Sequence, residues 1–289
     1  MFKLTFKYPL SKADDATEEL YIADIYNVFY ESPITITTNE YGYGYTEKKD
    51  EFIDFNVVVE SDNLTEAKKQ RDLIKKILKV KEIEIIKIDE IALNETLEPI
   101  HLNDSWVIAS PEYEFEDKNK LTFLPQGAFG TGLHETTQDS LRYILSQDFT
   151  NKNVLDIGAG SGILSIAAGL KNAKYVASLD VRDVEEEIQL NASLNNLNNI
   201  SVFVGNALEN EITINDKFDF VFMNISGEEA TSFLNFIENH IKENGILLIT
   251  GLVEWSFDFI VNKVKKYGYE LIEENQTNEW CTAILKKVK

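Results

Sequence analysis

The sequence predicts two α/β units in tandem: a small α+β domain, then a larger open sheet covered by helices on both faces. Three observations carry this reading. Short apolar runs and amphipathic helical stretches alternate from residue 153 nearly to the end of the chain. One of those runs, Asn153-Val-Leu-Asp-Ile157, stops in a turn with Gly158, Gly160 and Gly162 that opens a helix. Ahead of them, Phe2 to Ile88 reads as strand, helix, strand, strand, helix, strand. With 289 residues and 44% hydrophobic content, the chain is globular and long enough for a sizeable core.

Taken in order, Phe2 to Tyr8 alternates apolar and polar residues, as a half-buried strand does. Thr17 to Tyr30 has helical spacing at Tyr21, Ile25, Val28 and Phe29, with Thr17 as its cap. Ile34 to Thr38 and Phe52 to Glu60 are the next strands, separated by Tyr41-Gly-Tyr-Gly-Tyr45. That stretch is read as a hairpin loop; bases can stack on such tyrosines, but acids surround these. Asn63 to Lys79 is a helix with Leu64, Ala67, Leu73, Ile74 and Ile77 inward. Val80 to Ile88 closes the set, its alternation slipping between Ile85 and Ile86. The order is that of a split βαβ, ferredoxin-like domain, which by itself says nothing about function. The domain is placed at residues 1–90, a linker at 91–105 with one helical turn and Pro99, and the second domain at 106–289.

The second domain begins with Trp106-Val-Ile-Ala109 and Leu121-Thr-Phe-Leu124, read as a hairpin around an acidic loop. Pro125 to Gln138 holds Gly127, Gly130 and Gly132, a density that suits a loop folding over a ligand. Phe129, Gly130, Thr131 and Gly132 are therefore candidate contacts. Thr136 and Thr137 begin a helix running to Leu145, where hydroxyls and free N–H groups point outward; a capped helix after a loose loop is the plainer alternative. His134 is either a base or a histidine packed for structure.

The glycine turn at Gly158, Gly160 and Gly162 is the strongest signal. Glycine lets the backbone approach a ligand, and free N–H groups at the helix start can receive an electronegative group. The spacing is G-x-G-x-G; a dinucleotide fingerprint would need a third glycine at Ile163, so S-adenosylmethionine is favoured over NAD. Tyr175 to Asp180 is the next strand, and its terminal acid can accept both ribose hydroxyls of an adenosyl group. Arg182 to Asn195 is a helix. Ile200 to Val204 is a strand ending in Gly205-Asn206, where Asn206 either reads an adenine amino group or serves a turn. Phe218 to Asn224 is a strand, Glu228 to His240 a helix, Gly245 to Thr250 a strand, Trp255 to Tyr267 a helix. Tyr269 to Glu273 and Trp280 to Lys286 close as an antiparallel pair, the last of seven strands. Gly158, Asp180, Asn206 and Asn224 all fall at strand ends, where open α/β sheets bind ligands. Asn224 either orients an acceptor amine through its amide oxygen or caps the next helix.

Acids outnumber bases 49 to 28, a formal charge of −21. That disfavours a grip on phosphate and suits either a basic partner or solubility alone. A single cysteine, Cys281, excludes an intrachain disulfide, and no metal-ligand spacing is present. The N-terminus lacks the apolar core of a signal peptide and no run approaches the ~20 residues of a membrane span, so a cytoplasmic protein without membrane or direct nucleic-acid contact is expected.

At this point the chain resembles a known family. Ala128-Phe-Gly-Thr-Gly-Leu-His-Glu-Thr-Thr137, Val154-Leu-Asp-Ile-Gly-Ala-Gly-Ser-Gly-Ile-Leu164 and Asn224-Ile225 follow the order and spacing of the PrmA family, the methyltransferases of ribosomal protein L-eleven (L11). The first motif is specific, whereas the second is shared by most class I methyltransferases. The resemblance implies a Rossmann-like seven-stranded class I methyltransferase domain behind a small domain that recognises the ribosomal protein. It implies S-adenosylmethionine as cofactor, lysine and N-terminal amines of L11 as acceptors, and Thr137, Gly158, Asp180 and Asn224 as cofactor contacts. A monomer is expected. The family's His-Pro-Thr-Thr is His134-Glu-Thr-Thr137 here, its Asp-Pro-Gly-Leu is Leu124-Pro-Gln-Gly127, and its Asn-Ile-Leu-Ala is Asn224-Ile-Ser-Gly227. The last change lies beside the acceptor amine, so a related methyltransferase with another protein or small-molecule amine is the alternative. A nucleoside-binding module without chemistry and an NAD-dependent oxidoreductase stand further off.

Overall fold

The computed structural model describes residues 1–23, 25–31, 33–48, 51–59, 61, 63–88, 98–126, 128 and 130–288. The chain forms two compact units, Met1–Thr37 with Gly44–Glu95, and Thr38–Tyr43 with Thr96–Lys289.

In the first unit, β1 (Phe2–Pro9), α1 (Ala13–Ile22), β2 (Val28–Phe29), a hairpin of β3 (Ile34–Asn39) and β4 (Gly42–Glu47), β5 (Phe52–Val59), α2 (Leu64–Leu78) and β6 (Glu84–Lys87) follow one another. The sheet order β2-β5-β1-β6 is that of a ferredoxin-like domain, with every pair antiparallel. Its alternating strands bury Phe2, Leu4 and Phe6 against Phe55, Val57, Leu20 and Ile74. The helix expected over Thr17–Tyr30 is shorter and earlier. It buries the small residues Ala13 and Ala16 with Leu20, while Tyr21 and Ile22 face solvent. Thr17 is inside the helix, donating to the Ala13 carbonyl, and does not cap it. Val28 and Phe29 instead pair with Val57 and Asn56 as the second strand of the sheet, a role that suits β-branched and aromatic residues. Ile34–Asn39 belongs to the separate hairpin. The hairpin tip counts with the second unit, where Tyr41 packs edge-on to Phe259 and Tyr43 to Trp255. The stretch Tyr41–Tyr45, read as a hairpin loop, is instead mostly strand: Gly42 to Tyr45 begin β4, and the turn falls at Glu40 and Tyr41.

The second unit opens with β7 (Ile100–His101), β8 (Trp106–Ala109) and β9 (Asn119–Thr122), a small three-stranded sheet. Residues 89–97, which include the first part of the predicted linker, lie outside the described residues. β8 and β9 pair in parallel rather than as the expected hairpin. Residues 110–118 carry the chain back to the same end of β8, and β7 supplies the antiparallel neighbour.

The main sheet follows: α3 (Glu135–Ser146), β10 (Asn153–Ile157), α4 (Ile163–Leu170), β11 (Tyr175–Asp180), α5 (Glu185–Leu194), β12 (Ile200–Val204), β13 (Phe218–Asn224), α6 (Gly227–Ser232), α7 (Leu234–His240), β14 (Ile241–Val253), α8 (Glu254–Lys265), β15 (Tyr269–Thr277) and β16 (Trp280–Lys287). The predicted helix over Glu228–His240 is thus two short ones meeting at Phe233. Strand order is β12-β11-β10-β13-β14-β16-β15, parallel as far as β14, with β16 antiparallel between β14 and β15. The order reverses at β10, between β11 and β13, which makes the carboxyl end of β10 the switch point where such sheets bind ligands. The apolar run of β10 serves both faces: Val154 joins the cluster containing Leu141, Ile144 and Ile166, while Leu155 and Ile157 join the one containing Leu234, Ile237 and Ile260. Among the described residues, no helix is long and apolar enough to cross a membrane, and no cluster of three His, Cys, Asp or Glu side chains could hold a metal ion.

Candidate functional site

The glycine turn sits where the sequence places it. Gly158, Gly160 and Gly162 have φ values of 70°, 53° and 76°, the left-handed region that favours glycine. A Cβ on Gly158 would lie 2.5 Å from Ile225 Cγ2, and one on Gly162 would lie 2.7 Å from Ile188 Cγ1. The turn is fixed by backbone bonds from Gly158 and Ala159 to the Leu179 carbonyl and from Gly162 to the Ala159 carbonyl. Gly162 ends in the N-cap of α4, where no side chain covers the first-turn N–H groups.

Asp180, at the end of β11, is 6% exposed. Its Oδ2 accepts the Gly160 N–H at 2.9 Å and its Oδ1 accepts the Arg182 N–H at 3.0 Å. Oδ1 is also 3.5 Å from the Nε–H of the exposed Arg182 side chain. A carboxylate has room for about four hydrogen bonds, so Oδ2 retains capacity for a ligand hydroxyl and Oδ1 regains it when that long contact yields. The strand β11 thereby sets both the glycine turn and the acid that faces the same pocket. Val181 follows at 63% exposure, and Leu208 lies 45% exposed beyond β12. These are unpartnered apolar surfaces at adjacent strand ends, of the kind a flat nucleobase covers. Neither was marked by sequence periodicity, because each stands outside a strand. Asn206 caps a short 3₁₀ turn, its Oδ1 accepting the Leu208 N–H at 3.0 Å. The turn role is thus occupied, leaving one lone pair of that oxygen.

Behind the glycine turn lies Asp156, which periodicity disguised within an apolar strand. It is fully buried and accepts Ser165 Oγ at 2.7 Å; Ser165 and Ser178 hydroxyls meet at 2.7 Å. Burial pushes its carboxyl up to about 6, with the Asp180 charge adding to the rise and Ser165 opposing it. The folded protein therefore holds this proton more tightly than the unfolded chain. The stabilisation it brings is complete below pH ~4 and is lost as pH rises through ~6. Asp156→Asn is expected to flatten the stability curve between those limits, gaining roughly 2 kcal/mol at pH 7 relative to pH 4 over the unsubstituted chain. Denaturant midpoints of both proteins at the two pH values check this, and parallel curves refute it.

The helix α3 begins with Glu135, and His134 is its N-cap, accepting the Thr136 N–H through Nδ1. The His134 ring also packs edge-on to Trp280 at 4.8 Å. This is the structural role for His134. Glu135 replaces the family's proline at the first helical position, where either residue suits a helix start. One turn on, Thr137 is fully buried and its Oγ1 accepts Asn224 Nδ2–H at 3.1 Å. That bond aligns two residues 87 positions apart and fixes the amide, so Asn224 Oδ1 is the atom left to accept a donor at the end of β13. Asn224 does not cap the next helix. Ser226 does, accepting the Glu229 N–H while the Glu229 carboxylate accepts the Ser226 N–H. Gly227 is required by packing, since a Cβ there would fall 2.2 Å from Ile260 Cδ1. The departures Ser226 and Gly227 therefore have local explanations that leave Asn224 untouched.

Of the preceding loop, Gly130 (φ 104°) and Gly132 (φ 89°) are left-handed, and Thr131 between them is half-buried. Phe129 lies outside the described residues. Ser161, inside the glycine turn, donates its hydroxyl to the Gly130 carbonyl at 2.8 Å. The two glycine segments are thus joined by a residue that motif reading passes over as a spacer. The structure brings together Gly158, Gly160, Gly162, Asp180 and, through Ser161, Gly130 on one side of the switch point, with Thr137 and Asn224 paired at the end of the neighbouring strand. Asn206 stands two strands away from β10.

Comparison with known proteins follows the same lines. The family model described as ribosomal protein L11 methyltransferase (PrmA) matches residues 3–288. A ribosomal protein L11 methyltransferase of Fusobacterium nucleatum is 38% identical over 180 residues, 61% of this chain and 57% of that protein. One from Clostridium botulinum is 31% identical over 192 residues, 65% of this chain and 60% of that protein. The matched stretch thus spans about three-fifths of these curated relatives. The crystal structure of a ribosomal protein L11 methylase from Lactobacillus delbrueckii subsp. bulgaricus aligns with a TM-score of 0.60 and 25% identity, covering 66% of this chain and 99% of that one.

Proposed function

The chain belongs to the PrmA family of ribosomal protein L11 methyltransferases, and on that premise we propose that it transfers methyl groups from S-adenosylmethionine to lysine and N-terminal amines of L11. The carrying observation is the pair of Thr137 and Asn224. It leaves one oriented amide oxygen at the carboxyl edge of the sheet, next to a glycine cradle and a buried acid. The residues fit the cofactor: Gly158 and Gly162 hold a left-handed turn where a Cβ would strike Ile225 or Ile188, which leaves its amides bare of side chains, and Asp180 Oδ2 keeps an acceptor position. When bound, S-adenosylmethionine supplies a methyl on a sulfonium whose leaving group is neutral.

The work left to the protein is alignment more than acid–base chemistry. Asp180 accepts the ribose hydroxyls, and the turn amides approach the ligand without a Cβ between. Asn224 Oδ1 accepts an N–H of the incoming amine, aiming the nitrogen lone pair. The amine must arrive uncharged, and a water-poor pocket lowers the pKa of a lysine toward that state. The net charge of −21 attracts a lysine-rich ribosomal protein over long range. We place the enzyme in the cytoplasm as a monomer, with the first unit recognising L11.

Incubating the purified chain with methyl-labelled S-adenosylmethionine and purified L11 tests the reading. Label in L11 that survives denaturing electrophoresis is the expected outcome. Tight cofactor binding with no label in L11 would transfer the activity to another amine, and no cofactor binding would end the reading altogether.

A further inference from the structure

The helix α5 does more than cover the sheet. Asn195, Asn191 and Glu187 recur every four residues, and all three bond to the backbone of residues 122–128. Asn195 Oδ1 accepts the Thr122 N–H at 3.0 Å while its Nδ2 donates to the Thr122 carbonyl at 2.7 Å. Asn191 holds Leu124 in the same way, at 2.8 and 3.1 Å. Glu187 departs from this pattern. Its Oε1 accepts the Gln126 N–H and its Oε2 the Ala128 N–H, both at 3.0 Å. The register is geometric: four helical residues rise about 6 Å, close to the ~6.6 Å of two extended residues. The helix thus stands in for a neighbouring strand, each rung gripping alternate residues of the extended chain. Glu187 and Asn191 are buried, and α5 starts at Glu185, shortly after Asp180 in the chain.

The lower rungs anchor a segment that continues β9. The Glu187 rung differs in its position, because it ends at Ala128, two residues before Gly130, whose carbonyl accepts the Ser161 hydroxyl and so joins this segment to the glycine turn. Left-handed glycines leave this stretch with little conformational preference of its own. Something must fix its entry, and a carboxylate with one oxygen on each of two N–H groups does so.

We propose that Glu187 is a positioning residue for the cofactor site, a two-pronged clamp that sets the approach of Gly130–Gly132 to the glycine turn. The proposal rests on the reading of that pocket as an S-adenosylmethionine site. The clamp requires two acceptor oxygens. Glutamine, nearly the same shape, offers only one and sets an NH₂ against a backbone N–H. Glu187→Gln is therefore the informative change, with Asn195→Ala as a ladder substitution that does not reach the glycine stretch.

The full chain is titrated with S-adenosylmethionine by calorimetry, its release is timed by stopped flow, and thermal midpoints are recorded. Glu187→Gln is expected to weaken binding about tenfold, chiefly through faster release, with a midpoint no lower than that of Asn195→Ala. Asn195→Ala is expected to keep the Kd within about twofold. Asp180→Ala, run in parallel, separates the two ideas. If the unsubstituted chain binds, Asp180→Ala loses affinity and Glu187→Gln matches the unsubstituted chain in Kd and release, the clamp is wrong and the pocket stands. If the unsubstituted chain does not bind, the pocket itself falls. Should Glu187→Gln not fold, hydrogen exchange in the unsubstituted protein decides: ligand should slow exchange at the Gln126 and Ala128 amides, and unchanged rates overturn the clamp.

Discussion

Asp180→Ala is expected to weaken S-adenosylmethionine binding by about 3 kcal/mol, roughly 100-fold in Kd. Two losses add. The ligand loses a charged acceptor for its hydroxyls, and the Gly160 and Arg182 N–H groups lose the oxygens that orient the turn. The first loss is one of contact, the second of preorganisation, and Asp180→Asn distinguishes them. An amide keeps the shape and one acceptor, so it should recover part of the affinity. The Asp180 carboxylate is buried, which makes an unpaired N–H beside the alanine more costly than one at the surface. Calorimetric titration at one pH and salt concentration measures the effect. Equal affinity in the alanine variant would remove Asp180 from the site and, with it, the strongest reason to place the ribose there.

Asn224→Ala should lower kcat by about two orders of magnitude while changing cofactor Kd by less than about threefold. The reasoning is that Nδ2 is already committed to Thr137, so only Oδ1 is available for the amine. An interaction made by the aligned amine and not by the bound cofactor alone appears in turnover, not in cofactor affinity. Thr137→Val supports the test. It removes the oxygen that fixes the amide, leaving Asn224 present but free to rotate, and a loss of about tenfold is expected. Single-turnover methylation at saturating cofactor reads both variants. If Kd rises for Asn224→Ala and the single-turnover rate does not fall, Asn224 is a cofactor contact and nothing more.

The site was legible to different depths for different residues. Gly158, Gly160, Gly162 and Asp180 were readable because each is determined locally: a strand must stop, the turn needs left-handed φ, and an acid closes the next strand. Asn224 was readable as a strand end but ambiguous in role, since an asparagine before a helix is equally good as a cap. Its role turned on Ser226, whose capping bond to the Glu229 amide leaves Asn224 out of that task. Asp156, Ser161 and Glu187 gave little signal. Asp156 was masked by the apolar residues around it, Ser161 by the glycines, and Glu187 by its place in the acidic start of a helix. The misplacement of the first helix had one cause. Bulky residues at helical spacing outweighed small ones, so Tyr21 was placed inward where Ala13 and Ala16 carry the buried face.

By itself, the sequence determined the order of the strands along the chain in the main sheet, the glycine turn and the acid at the end of β11. These follow from side-chain periodicity and backbone sterics, which act between near neighbours in the chain. The tertiary structure alone decided that β8 and β9 run parallel, that Thr137 meets Asn224 across 87 residues, that Ser161 ties the two glycine segments together, and that α5 grips residues 122–128. Such pairings depend on which strands become neighbours and on how far each helix is rotated. Both are set by the burial of whole faces, a property shared among many residues and carried by no single motif.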